Sequence, residues 1–267
     1  MQKLVKYTAA LLLCAVPAQA ADISMSAAFG TSSYSYDYSY PYTDYNGDAT
    51  TLEYDEEIDF SYRDITLNLT QDDGGVFSLK IGGLPQEDDY DPYFVASTAK
   101  RDEYSISYTK RVDSNLSWFT GYYSSEAKLY QLDQFTFAGA DYDISYNTTI
   151  ETGGLFGGLT YSEAVDEDLF WYVRGALQFN WTTFSDDYDW SNSNNNSGGE
   201  YFSRDLEGSA VLFAIGVFMP VSDRAGLNFG YEIKSYDYDN ELTAIDETPT
   251  TLTEDQSSII ISASYAF

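Results

Sequence analysis

The chain has 267 residues, 43 of them Asp or Glu against 13 Lys or Arg, with no His and a formal net charge of −30. That balance excludes binding to nucleic acid by phosphate neutralisation, which needs clustered Lys and Arg. It does not describe a disordered acidic tail, because 17% of the residues are aromatic and 26 are Tyr, and such tails are poor in aromatics.

In chain order, the first twenty residues read as a secretory signal peptide. Lys3 and Lys6 form a positive region, Thr8 to Val16 an apolar one, and Ala18-Gln19-Ala20 a small-residue cleavage site. The apolar run is too short to cross about 30 Å of hydrocarbon as a helix. A single mature domain is therefore expected over residues 21–267. Cys14, the only cysteine, leaves with the leader, so neither a disulfide nor a thiolate metal site is expected in the mature chain.

The rest of the chain alternates with period two. Strands are expected near 23–37, 57–70, 76–84, 100–111, 116–130, 142–161, 169–184, 206–219, 225–238 and 257–267. The clearest are Trp171-x-Val173-x-Gly175-x-Leu177-x-Phe179-x-Trp181 and the last, with Ile259, Ile261, Ala263, Tyr265 and Phe267 on one face. The second strand changes parity between Tyr62 and Ile65, which reads as a bulge at Arg63-Asp64. Short turn-rich connections alternate with long segments near 38–56, 85–99, 131–141, 185–205 and 239–256. This is the plan of a closed antiparallel up-and-down transmembrane β-barrel of about ten strands, with eight or twelve as alternative counts. Closure follows because hydrocarbon offers the backbone no water, so no strand edge can be left open. A soluble β-sandwich also alternates, but strands of this length suit a tilted crossing better. Trp118, Tyr122, Tyr123, Trp171, Trp181, Tyr236 and Tyr238 fall near strand ends, where interfacial girdles sit.

The ending Ile259-Ile260-Ile261-Ser262-Ala263-Ser264-Tyr265-Ala266-Phe267, together with the leader, resembles the terminal strand signal of Gram-negative outer-membrane β-barrels. The resemblance covers the whole chain in architecture and this one strand in motif. It implies recognition by the barrel assembly machinery through Ile261, Ala263, Tyr265 and Phe267, residence in the cell outer membrane beside lipopolysaccharide, and Phe267 facing lipid at the periplasmic interface.

With the apolar faces outward, Lys80, Glu103, Arg174, Glu232 and Lys234 turn into the lumen, where they are expected to form a charge network near mid-barrel, since Lys or Arg facing lipid at the midplane costs about 2–4 kcal/mol. Such a network either fills a narrow barrel or forms a conducting constriction.

The long segments carry acid and tyrosine. Asp186, Asp187 and Asp189 superficially suggest a calcium loop, but Asn192 stands where Gly is required, so a solvated anionic surface outweighs Ca²⁺ or Mg²⁺ coordination there. No other cofactor is expected. The stretch Ser191 to Gly199 reads as a flexible polar linker.

Without His, the Ser-His-acid and Asp-His arrangements of outer-membrane lipases and omptin-like proteases cannot be assembled, and no enzyme is expected. Two functions survive. One is a porin-like barrel passing ions or small solutes with cation preference. The other is a non-conducting structural or surface-interaction barrel whose acidic, Tyr-rich loops bind cations, lipopolysaccharide or an external partner.

Overall fold

A computed structural model of the chain describes residues 20–43, 49–91, 93–239 and 250–267; the segment read as a signal peptide, residues 1–20, lies outside them but for its last residue. Ten strands follow one another: β1 Ala20–Thr43, β2 Ala49–Gln71, β3 Val76–Asp88, β4 Ala96–Arg111, β5 Leu116–Phe137, β6 Ala140–Asp166, β7 Leu169–Asn192, β8 Ser197–Ser222, β9 Ala225–Asp239 and β10 Thr251–Ala266. Each pairs antiparallel with its sequence neighbours, and β1 pairs with β10 from Ser24↔Ala266 to Ser39↔Thr251, closing the ring. Phe267 N–H donates to the Ile23 carbonyl at 2.9 Å, so the terminal strand is held at the short-turn end to its last residue.

Parity is continuous along most strands, but its chemical meaning reverses part-way up. In the half nearest the short turns, outward positions are apolar. Phe29 is 62% exposed and Leu177 60% exposed, and Ile65, Phe179, Phe213, Ile215 and Ile261 join them in a belt. Many inward positions there are polar, as in Asn68, which accepts from Ser78 at 2.6 Å, although Phe119 and Phe156 also turn inward, their rings 6.1 Å apart. In the other half the outward positions are Asp37, Asp55, Glu57, Asp59, Asp205, Asp237 and Asp255. Inward, Tyr34, Tyr36, Tyr38, Ile58, Phe60, Leu206, Tyr236, Tyr238 and Leu252 pack into a buried core. An apolar exterior around a largely polar interior is the pattern that suits lipid, and a charged exterior around an apolar core is the pattern that suits water.

This reversal explains several departures from the sequence reading. Most of the long segments are strand: β1 and β2 pair out to Thr43↔Ala49, and β7 and β8 out to Ser191↔Ser197. Tyr123, Tyr236 and Tyr238 are core residues rather than girdle residues, being 6%, 2% and 1% exposed, whereas Trp118 and Trp181 do face out. No bulge occurs at Arg63-Asp64: Arg63 faces out, Asp64 in, and both pair in register with β1 and β3. The change read as broken parity is the change of hydrophobic face. The nearest irregularity lies on β3, between Leu84 and Glu87. Gly83 precedes it at φ +136°, and a Cβ there would meet the Arg101 carbonyl oxygen, so only Gly fits. Above Arg63↔Gly83, β3 no longer pairs with β2 among the described residues. Ser191 to Gly199 is a tight hairpin: the Asn192 side chain accepts from the Asn194 and Asn196 amides at 3.0 and 3.1 Å, with Asn195 at φ 61°.

Candidate functional site

Two inward-facing constellations stand out, one at the level where the pattern reverses and one near the tall rim. The lower is a charge network. Arg101 on β4 is 1% exposed. Its Nε reaches Glu103 Oε1 at 3.2 Å and its Nη1 pairs with Glu254 Oε2 from β10. Nη2 donates to the Tyr123 hydroxyl at 3.0 Å and to Ser125 Oγ at 3.2 Å. The guanidinium lies 4.9 Å from the Tyr34 ring and 5.8 Å from the Tyr236 ring, and the Tyr34 hydroxyl donates to Glu254 at 2.7 Å. Lys234 on β9 bridges Glu103 and Glu232, each at 3.3 Å. Lys80 on β3 pairs with Asp64 at 3.3 Å and sits 5.2 Å from the Tyr62 ring.

Taking charges this far from water is tolerable only because each is matched by an opposite charge and by hydrogen bonds. The result is a cross-lumen tie between β1, β2, β3, β4, β5, β9 and β10.

Of the charges expected in the lumen, Lys80, Glu103, Glu232 and Lys234 come together here. Arg174 also faces inward, on the rung that runs through Ala214 to Glu232, but is more exposed and makes no ion pair with them, its Nε donating to Thr160 Oγ1 at 3.2 Å and its guanidinium lying 5.1 Å from the Phe119 ring. Sequence reasoning missed Arg101, Asp64 and Glu254. Arg101 shares the face of Glu103 two residues on, so strict parity would have found it. Glu254 lay in a segment read as loop, and Asp64 in the supposed bulge.

The upper constellation is a cup. A cavity of about 70 Å³ is lined by Tyr36, Tyr38, Glu56, Gln131, Tyr146, Thr148, Phe184, Asp186 and Phe202. Tyr38 stacks on Phe184 at 3.9 Å, and Phe202 stands edge-on to both, at 6.2 and 6.5 Å. Glu56 Oε1 accepts from Gln131 Nε2 at 2.7 Å, and Asp186 Oδ1 from Thr148 Oγ1 at 3.0 Å. Burial pushes both carboxyls above the ordinary carboxylate range, and neighbouring Asp55 and Asp91 for Glu56, and Asp187 for Asp186, push further the same way. Burial likewise raises the Tyr36 phenol, with Glu56 the next cause.

The three aspartates singled out in the sequence do not converge. β7 runs straight through them, turning Asp186 into the cup and Asp187 and Asp189 outward. Among the described residues, no group of three His, Cys, Asp or Glu is placed to hold a metal ion. At the other end, Ile261, Tyr265 and Phe267 are 49%, 45% and 67% exposed on the outward face, in line with Ala263.

No family model matches the chain, and no curated protein does. Solved structures do. The outer-membrane protease OmpT of Escherichia coli superposes with a TM-score of 0.60 at 10% identity, over 93% of this chain and 97% of that one. The P. putida toluene transporter TodX aligns at 0.44 with 9% identity, over 92% and 90% of the two chains. Neisserial surface protein A aligns at 0.32 with 10% identity, over 92% and 97%. The likeness to OmpT gives the chain the fold of Gram-negative outer-membrane β-barrels, and a fold does not by itself fix an activity.

Proposed function

We propose that this protein is a non-conducting outer-membrane barrel that acts through its acidic outer surface. The observation that carries this reading is the state of the lumen. Arg101, Glu103, Lys234 and Glu254 are each almost wholly withdrawn from solvent in mid-barrel, and the rings of Tyr34, Tyr62, Tyr123 and Tyr236 close around them. A conducting pore needs a continuous wet path, whereas small barrels are filled by their own side chains. The leader, the terminal strand and the apolar belt support an outer-membrane location, with the tall rim facing outward.

A porin-like role with cation preference draws support from the acidic rim and from the exposed Arg174, but it needs the tie between Arg101 and Glu254 to part. A hydrolytic role, which the name of OmpT carries for that protein, would have to proceed here without any histidine.

Planar-bilayer recording of the refolded full-length chain tests the reading. Silence is expected for the natural sequence, and unitary currents for Arg101→Ala/Glu254→Ala, where the tie is gone. Steady unitary currents from the natural sequence, with ion selectivity altered by Lys80→Glu, would overturn the closed reading and restore the porin-like one.

A further inference from the structure

We infer that the cup at the tall rim binds an organic cation, an alkylammonium or guanidinium group, held between the aromatic wall of Tyr38, Phe184 and Phe202 and the carboxylates of Glu56 and Asp186. The inference rests on the reading of this barrel as a surface-interaction protein and names its ligand class.

The first support is an imbalance of charge. Every ion pair found among the described residues lies elsewhere: on Asp64, Asp73, Asp102, Glu103, Glu126, Glu232 or Glu254. Glu56 and Asp186 are partly withdrawn from water and hydrogen-bonded to neutral groups, Gln131 and Thr148. The charged groups that act on them are Asp55, Asp91 and Asp187, all of the same sign. Desolvated carboxylates are normally met by a positive group. Here none of the chain's ion pairs falls on either carboxylate.

The second support is the wall. Ring faces attract a cation that can shed its water, which an alkylammonium or guanidinium does more readily than a small divalent ion. Ca²⁺ and Mg²⁺ want six or more oxygen ligands, and the cavity offers rings over much of its surface. The chain already places one guanidinium on this wall, with Arg204 lying 4.9 Å from the Phe202 ring at the rim. A cavity of about 70 Å³ suits a single cationic head rather than a folded partner. Outside, Glu53, Asp55, Glu57 and Asp59 stand exposed at alternate positions of β2, a comb of charge that raises the local concentration of cations.

Two sources carry this chemistry: a free polyamine, or the side chain of a cationic peptide. Calorimetric titration of the folded full-length chain in detergent micelles, at fixed ionic strength, uses spermidine for the first and tetralysine for the second. Saturable binding of at least one probe is expected; spermidine binding at least as tightly as tetralysine assigns the free polyamine, and tetralysine alone assigns the peptide. Affinity is expected to fall at least tenfold in Glu56→Gln/Asp186→Asn and at least threefold in Phe202→Leu, which removes a ring and no charge. It should fall less than twofold in Asp237→Asn/Asp255→Asn, which removes as much charge from the outer face of β9 and β10. Folding of each variant is checked by its gel-mobility shift on heating. Equal loss from the inner and outer pairs, full displacement by Mg²⁺, no effect of Phe202→Leu, or binding of neither probe overturns the inference. Bilayer recording separates the two claims: a conducting barrel that still binds overturns only the closed lumen, and a silent one that does not bind overturns only the cup.

Discussion

Along β1 and β2, the positions that face outward carry Ile23, Met25, Phe29, Ile65 and Leu67 near the short turns, and Asp37, Asp55, Glu57 and Asp59 toward the tall rim. Inward positions do the opposite, running from Ser24, Ser26 and Asn68 to Tyr34, Tyr36, Ile58 and Phe60. The backbone is the same twisted antiparallel ladder throughout. What differs is the medium each exterior suits: hydrocarbon for the apolar face of the lower half, water for the charged one above. The lower interior can be polar because its outside already satisfies the hydrophobic effect. The upper interior must be apolar, because it is the only place left to remove those side chains from water. The charge network sits at the seam, the level where neither interior dominates.

The sharpest way to break this comparison is at the seam. Arg101→Ala leaves Glu103 and Glu254 buried with one partner fewer, and removing one member of a buried pair costs about 3–5 kcal/mol. Urea unfolding in lipid vesicles should show that loss, and an unchanged midpoint would mean the network is solvated.

In the upper half, Leu252 is 0% exposed, and Leu252→Ala should cost about 2–5 kcal/mol as a core cavity does. Its outward neighbour Thr253→Ala should leave the transition in place. Equal effects would show that the upper half has no packed core.

In the lower half, Ile215→Arg puts a charge into the belt and should cost about 2–4 kcal/mol, whereas Asp205→Arg, on the same face of β8 but above the belt, should cost almost nothing. If both were tolerated alike, the belt would not be in lipid.

The smallest effect is one of pH. Glu56 and Asp186 have folded values raised above the unfolded ones, near pH 4. Their protonation therefore favours the folded cup: the contribution is full below the unfolded value and is lost as pH rises through the folded one. Amide exchange in the upper parts of β2 and β7 should slow as pH falls from 7 toward 4, after correction for intrinsic rates, and Glu56→Gln/Asp186→Asn should abolish that extra protection. Tyr36 stays neutral across this range because its phenol is raised further.

Strand number, order of turns and the facing of Lys80, Glu103, Arg174, Glu232 and Lys234 were legible because period two over an apolar belt is a strong local signal. The upper halves of the strands were not. There the apolar residues change face, so Tyr34-x-Tyr36-x-Tyr38 and Tyr236-x-Tyr238 look like acidic, tyrosine-rich loop, and Glu254 disappears with them. Single-residue parity carried from Glu103 back to Arg101, or from Gln256 to Glu254, would have recovered the network.

By itself the sequence determined the ladder: alternation forces strands, a lipid-facing belt forces them to close, and the absence of histidine narrows the chemistry that the chain can carry. Only the tertiary structure decided how high the barrel stands, and which side chains meet across it. Arg101 and Glu254 are 153 residues apart, and no local pattern specifies a partner on the far wall of a ring. That pairing depends on closure bringing β4 and β10 to face each other across one narrow lumen, where a charge must find its opposite or not be buried at all.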